Sequence, residues 1–236
     1  MSETLNLNEK YEIDNEDTHH MINVMRFRVD DAFEMIDGTT TGFVCRITGI
    51  EGRKVAFLTE QVLDSNTESP VGTTIICPLL KGEKFEWMLQ KSTELGAVRF
   101  IIYEADRSIV KLDDKKRGKR LARFQKVIRE ASEQSRRFSI PEIHFEGRLK
   151  NVDFSDYDSA FIAFEGYAGQ KAVSFKNLGG VETGKKIAFI FGPEGGLTED
   201  EVEADASFTP LSLGPRILRA ETAPLYFLAA VSSLHE

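Results

Sequence analysis

The chain has 236 residues, 41% hydrophobic and 29% charged, with a formal net charge of −8; this suits a soluble globular protein with one large core or two modest ones. No apolar run approaches the roughly 20 residues that a membrane-spanning helix needs, and the polar opening MSETLN lacks a secretory signal, so a cytoplasmic protein with no membrane partner is expected. Cys45 and Cys77 lie far apart and make no metal-type spacing, so buried thiols and no bound metal are expected.

Residues 1–70 read as β-rich. Strands are expected over 42–50 (GFVCRITGI) and 54–59 (KVAFLT), joined by a short turn at Glu51-Gly52-Arg53. The polar stretch DSNTESP, 64–70, is the linker candidate, being poor in apolar residues and ending in proline. From 71 to 236 strands alternate with helices. TTIICP (73–78) reads as a buried strand, and 85–95 as a helix with Gly96 as its C-cap. VRFIIY (98–103) is again a strand. Leu121, Phe124, Val127, Ile128 and Ala131 then form a stripe at helical spacing, with Lys119, Arg123 and Lys126 roughly opposite. Further strands are expected over 160–164, 187–191 and 208–213, and a last helix over 222–234. Such alternation implies a mostly parallel sheet covered on both faces.

Charge is unevenly spread. Between Lys115 and Arg137 ten basic residues face only Glu130 and Glu133, a local charge of +8 in a chain of −8. A solvated helix face and a local polyanion contact are equally good readings of that block.

Chemistry concentrates in two turns. Gly192-Pro193-Glu194-Gly195-Gly196 follows the apolar run 187–191 and precedes an acidic helix start. It lacks the Lys-Ser/Thr of a phosphate-binding P-loop and the spacing of a dinucleotide fingerprint. What remains is a turn of little bulk that lets a ligand approach the backbone, or one in which glycine serves only the dihedrals. LSLGPRILRAETA, 211–223, repeats Gly-Pro after a strand at Gly214-Pro215 and adds Arg216, Arg219 and Glu221. Two such turns at strand ends lie where open α/β sheets bind ligands, and Thr222 is expected to cap the last helix.

KGEKFEWMLQKSTELG, ADRSIV, REASEQSRR with IPEI, FGPEGG and LSLGPRILRAETA occur in that order, and HHMINVMRFRVDD stands near the start. In these segments the chain resembles the bacterial small-subunit (16S) ribosomal RNA uridine-N3 methyltransferases of the SPOUT class, over essentially its whole length. Before Arg107 this chain reads Glu104-Ala105-Asp106, a segment in which relatives often have a Ser-Glu pair, and Arg136 stands at a position that is often glycine and elsewhere basic. The resemblance implies an α/β fold: a C-terminal parallel-sheet SPOUT domain (71–236) with a deep trefoil knot, plus a small N-terminal PUA-like β-barrel (1–70) for RNA binding. It implies S-adenosylmethionine bound by Gly192, Pro193, Glu194, Gly195 and Gly196, by Leu211, Ser212, Leu213, Gly214, Ile217 and Leu218, and by Phe164 and Glu165 at the end of the 160–164 strand. It also implies a homodimer acting on 16S rRNA in the small ribosomal subunit.

On that basis Arg107, Arg123, Lys126, Gln134, Arg136 and Arg137 are candidate RNA contacts. Uracil N3 carries a proton that must be removed, so Glu194 and Glu221 are candidates for the base or for orienting ligand groups, and Arg219 for stabilising the developing anion. Because N3 is hidden in a base pair, the target must be flipped or single-stranded. A tRNA methyltransferase of the same fold, or a non-catalytic RNA-binding factor of ribosome assembly, are the other readings.

Overall fold

The computed structural model describes residues 3–64, 67–108, 110, 114–164 and 172–235. They form two compact units, Met1–Thr67 and Glu68–Glu236, which divide inside the stretch expected as a linker.

The first unit is a four-stranded antiparallel sheet in the order β1-β4-β3-β2, made of β1 (Lys10–Ile13), β2 (Ala32–Ile36), β3 (Gly42–Glu51) and β4 (Lys54–Val62), with a short helix α1 (Glu16–His19) after β1. Along β3 and β4 every second side chain is buried: Phe43, Cys45 and Ile47 on one strand, Val55, Phe57 and Thr59 on the other. That two-residue period places one face on a core and the other in water. Glu51 pairs with Lys54 across a two-residue turn in which Gly52 has φ +60°, the left-handed geometry such hairpins need.

The second unit is a seven-stranded sheet in the order β7-β6-β5-β10-β8-β11-β9, with every neighbouring pair parallel. Its strands are β5 (Gly72–Pro78), β6 (Ala97–Tyr103), β7 (Glu142–Gly147), β8 (Ser159–Ala163), β9 (Val173–Ser174), β10 (Lys186–Phe191) and β11 (Phe208–Ser212). Helices α2 (Lys84–Glu94), α3 (Asp114–Gln134), α4 (Glu199–Val202) and α5 (Ala223–Ser233) complete it. In β10, Ile187, Phe189 and Phe191 join a core with side chains of α2, α3 and α5, while Ala188 and Ile190 join a second core with Leu149, Phe154, Leu197 and Val202. Burial on both faces explains why the central strands read as unbroken apolar runs. Phe189 stacks on Phe227 of α5 with ring centres 4.2 Å apart. In α3, Phe124, Ile128 and Ala131 are buried whereas Lys119, Arg123 and Lys126 are exposed, as the helical period predicts. Among the described residues no helix is long and apolar enough to cross a membrane. Cys45 and Cys77 are buried free thiols; burial, with the Glu60 charge adding, pushes the Cys45 thiol up to about 12, and burial also raises Cys77.

Two local expectations change. Thr222 stands at the start of α5 but makes no side-chain cap bond, and Pro224 in the first turn leaves fewer backbone donors to satisfy. Arg137, expected as an RNA contact, is a structural residue with its side chain only 3% exposed. Its guanidinium donates to the carboxylate of Glu68, to the Thr93 and Ala97 carbonyls and to Ser139 Oγ. Glu68 in turn accepts from the Phe138 N–H at 2.9 Å and from the Ser139 hydroxyl at 2.8 Å. An arginine so enclosed has no face left for a nucleic acid.

Burial pushes the Glu68 carboxyl up, but Arg137 and Ser139 outweigh it and leave it below its usual range. Its stabilising contribution is therefore present above the unfolded value of about 4.3 and is lost as pH falls through the lowered folded value. Glu68→Gln, which leaves Arg137 buried without its counter-charge, is expected to lower the unfolding free energy by about 3–5 kcal/mol near neutral pH. In urea titrations the gap from wild type should shrink as the pH drops below about 4; a gap independent of pH would refute the ionic role.

Candidate functional site

Strands β10, β8 and β11 are neighbours in the sheet and run parallel, so their carboxyl ends emerge side by side. The segments that leave them, with α2 and the loop after β6, enclose a cavity of about 990 Å³. Phe164 lines it after β8; Gly192, Pro193, Glu194, Gly195 and Gly196 line it after β10; Leu211, Ser212, Leu213, Gly214, Ile217 and Leu218 line it from β11 onward. Glu165 lies outside the described residues. The volume falls in the range of small-molecule and cofactor pockets.

Steric crowding explains the glycines of the first turn. A Cβ on Gly192 would lie 2.9 Å from both the Leu197 backbone N and its Cγ. One on Gly195 would lie 3.1 Å from the Cβ and the carbonyl O of Arg107. Arg107 also braces the turn, its Nη1 donating to the Gly195 and Leu197 carbonyls at 3.3 and 3.2 Å. The loop that carries Arg107 is itself anchored: the Asp106 N–H donates to Glu201 Oε1 at 3.0 Å, and Glu201 closes a reciprocal cap with Thr198 at the start of α4. At the strand end, the buried Tyr103 hydroxyl donates to the Phe191 carbonyl at 2.8 Å. Burial pushes that phenol well above its ordinary range, so it stays a neutral donor.

Charges of both signs line the cavity. Arg219 is largely exposed, and its Nη1 lies 4.0 Å from Glu221 Oε1. Lys84, the first residue of α2, sits between the two candidate carboxylates, 3.3 Å from Glu221 Oε1 and 3.7 Å from Glu194 Oε1. Glu221 is buried, and its Oε2 has no hydrogen-bond partner among the described residues. The structure thus gathers Arg107, Glu194, Arg219 and Glu221 in one place. It keeps Arg123, Lys126, Gln134 and Arg136 apart from the cavity wall, exposed along and just beyond α3. Arg123 reaches Glu86 of α2 at 2.8 Å, and Lys126 lies 3.8 Å from Glu130. Among the described residues no group of three or more His, Cys, Asp or Glu is placed to hold a metal ion.

Comparison with known proteins places this architecture among the RNA methyltransferases. The family described as "RNA methyltransferase domain" matches residues 67–232, and "RNA methyltransferase PUA domain" matches residues 13–60. The ribosomal RNA small subunit methyltransferase E of Bacillus subtilis (strain 168) is 40% identical over 232 residues, covering 94% of this chain and 89% of the relative. The protein of that name from Neisseria gonorrhoeae, solved bound to S-adenosyl methionine, superposes with a TM-score of 0.84 at 29% identity, covering 99% of this chain and 95% of that one. A putative methyltransferase from Legionella pneumophila, solved with S-adenosylmethionine, gives 0.84 at 28% identity over 98% of this chain and 95% of that one. The chain belongs to the ribosomal RNA small subunit methyltransferase E family.

Lys84 and Glu199 also line the cavity and were not singled out in the sequence. Lys84 had a faint signal, a basic residue opening a helix where the dipole favours acidic ones. Gly192→Ala is expected to cost about 1–3 kcal/mol in urea unfolding, because the methyl group meets backbone that cannot swing away. Gly179→Ala, whose Cβ meets nothing within 4 Å, is the control and should stay within about 0.5 kcal/mol of wild type. Equal effects would remove the steric account of the turn.

Proposed function

We propose that the protein is an S-adenosylmethionine-dependent methyltransferase that modifies N3 of a specific uridine in 16S ribosomal RNA, with the assembled small subunit as substrate. The observation that carries this reading is the cavity of about 990 Å³ at the joined carboxyl ends of three parallel strands, in a chain of this family. Its residues fit the cofactor. Gly192, Gly195, Gly196 and Gly214 form part of its wall, where little side-chain bulk separates backbone N–H and C=O groups from a ligand. Phe164, Gly192, Pro193, Glu194, Gly195, Gly196, Leu211, Ser212, Leu213, Gly214, Ile217 and Leu218 would hold it, with Glu165 beside Phe164. When bound, S-adenosylmethionine supplies a methyl group already activated on a sulfonium.

The protein's own residues must then align and deprotonate the uracil. Alignment in a confined site replaces a bimolecular encounter by an oriented contact. Arg219 stabilises negative charge that develops on the ring, and Glu194 or Glu221 takes the N3 proton or orients ligand groups. Arg107, whose Nη1 braces the glycine turn, contacts RNA at the cavity edge, while Arg123, Lys126, Gln134 and Arg136 follow the phosphate backbone along α3. The domain spanning 1–70 acts as a PUA-like RNA-binding module, and the domain spanning 71–236 carries the chemistry on a trefoil-knotted sheet. The enzyme works in the cytoplasm as a homodimer.

The direct test offers purified protein small ribosomal subunits, naked 16S rRNA and tRNA with labelled S-adenosylmethionine, then maps the modified base. Methylation of subunits at a single uridine N3 is expected, and methylation of tRNA alone would sink the assignment. For the α3 face, Arg123→Glu with Lys126→Glu should flatten the slope of log K against log salt by about 1.4–1.8, since each phosphate contact contributes about 0.7–0.9. An unchanged slope would return that face to the role of solvated surface.

A further inference from the structure

The two carboxylates of the cavity are not equivalent. Glu194 is 38% exposed at its side chain, whereas Glu221 is 10% exposed, and one of its oxygens is fully enclosed without a donor among the described residues. A buried carboxylate oxygen left without a donor is unfavourable, and such groups persist where a ligand completes them. The other oxygen, Oε1, faces Lys84 Nζ at 3.3 Å and, more distantly, Arg219 Nη1 at 4.0 Å.

Lys84 itself occupies a position that a helix dipole disfavours for a cation. What compensates it is one carboxylate from each ligand turn, Glu194 at 3.7 Å and Glu221 at 3.3 Å. The neighbouring acidic group on α2, Glu86, is engaged with Arg123 at 2.8 Å and points the pairing elsewhere. Of the other charged groups lining the cavity, Arg107 braces the turn carbonyls through Nη1, Arg216 is exposed, and Glu199 opens α4.

We propose that Lys84 and Glu221 form one working unit in the methyl transfer set out above, on which this inference rests. Lys84 is a positioning residue that holds the Glu221 carboxylate through Oε1, and that carboxylate is the catalytic acceptor of the uracil N3 proton. In that step the N3–H bond breaks, an O–H bond forms on Glu221, and the negative charge passes from the carboxylate to the uracil ring. The Lys84 ammonium keeps its own proton and its hold on Oε1. Glu194 fixes Lys84 from the opposite turn and takes no proton.

The test compares wild type, Lys84→Met, Lys84→Arg, Glu221→Gln and the double variant Lys84→Met with Glu221→Gln. For each, methyl transfer to small ribosomal subunits, S-adenosylmethionine affinity by calorimetry, and urea unfolding without ligand are measured. Glu221→Gln should lower kcat about 100-fold or more, the scale of a lost general base, and Lys84→Met about tenfold by the same loss of alignment. Lys84→Arg should recover most of the loss. Cofactor affinity should stay within about threefold of wild type throughout, and the double variant should be no slower than Glu221→Gln alone. The unfolding losses of the two single variants should likewise fail to add.

Losses that multiply in the double variant would overturn the pairing. A fall in cofactor affinity that matches the fall in kcat for Glu221→Gln would overturn the proton role and make Glu221 a cofactor-binding residue. A wild type that methylates no RNA would refute the enzymatic reading itself, which is a different result from an active wild type whose variants are uncoupled.

Discussion

Every hydrogen-bonded neighbour in the seven-stranded sheet runs parallel, and this single constraint organises the rest of the second unit. Parallel strands require each connection to return across the sheet, so all carboxyl ends face the same edge. Because β10, β8 and β11 are adjacent, their outgoing segments meet there and must share limited space. Glycine at 192 and 195 follows from that crowding, since a methyl group at either position would press on Leu197 or Arg107. The cavity is thus a product of strand order first and of side chains second.

Net charge says little about the site. A chain of −8 keeps four cationic side chains and three acidic ones on one cavity wall, where separations of 3 to 4 Å decide the outcome and a charge beyond a Debye length of about 10 Å is screened. On α3 the same short range applies: Arg123 is drawn towards Glu86, yet stays 68% exposed at its side chain. Surface pairs of this kind are worth at most about 1 kcal/mol and are readily exchanged for another anion.

The strands buried on both faces were legible in the sequence because double burial writes itself as an apolar run, as in IAFIF for β10 and TIIC within β5. Helices α2 and α3 followed from their period and, for α2, from Gly96, whose φ of +92° ends it. The short or edge strands β1, β2, β7 and β9 were not, since a half-exposed strand such as EIHFEG mixes polar and apolar residues as a loop does. At the site, the glycine turns and Glu221 stood out through their residue types and spacing after strands. Lys84 did not, because its meaning comes from two carboxylates more than 100 residues away in sequence. Arg137 misled for the same reason: within a basic run it reads as surface, and only the long-range pairing with Glu68 takes it inside.

That pairing has a bearing on where the second unit begins as an independent folding body. Glu68 precedes the first strand of the parallel sheet by four positions, yet it fastens the turn after α3 and, through Arg137, the ends of α2 and β6. A fragment cut at the start of the sheet would keep every strand and helix of the fold while stranding a buried guanidinium without its counter-charge. The natural seam of this protein lies ahead of its secondary structure, in a residue that belongs to no strand or helix.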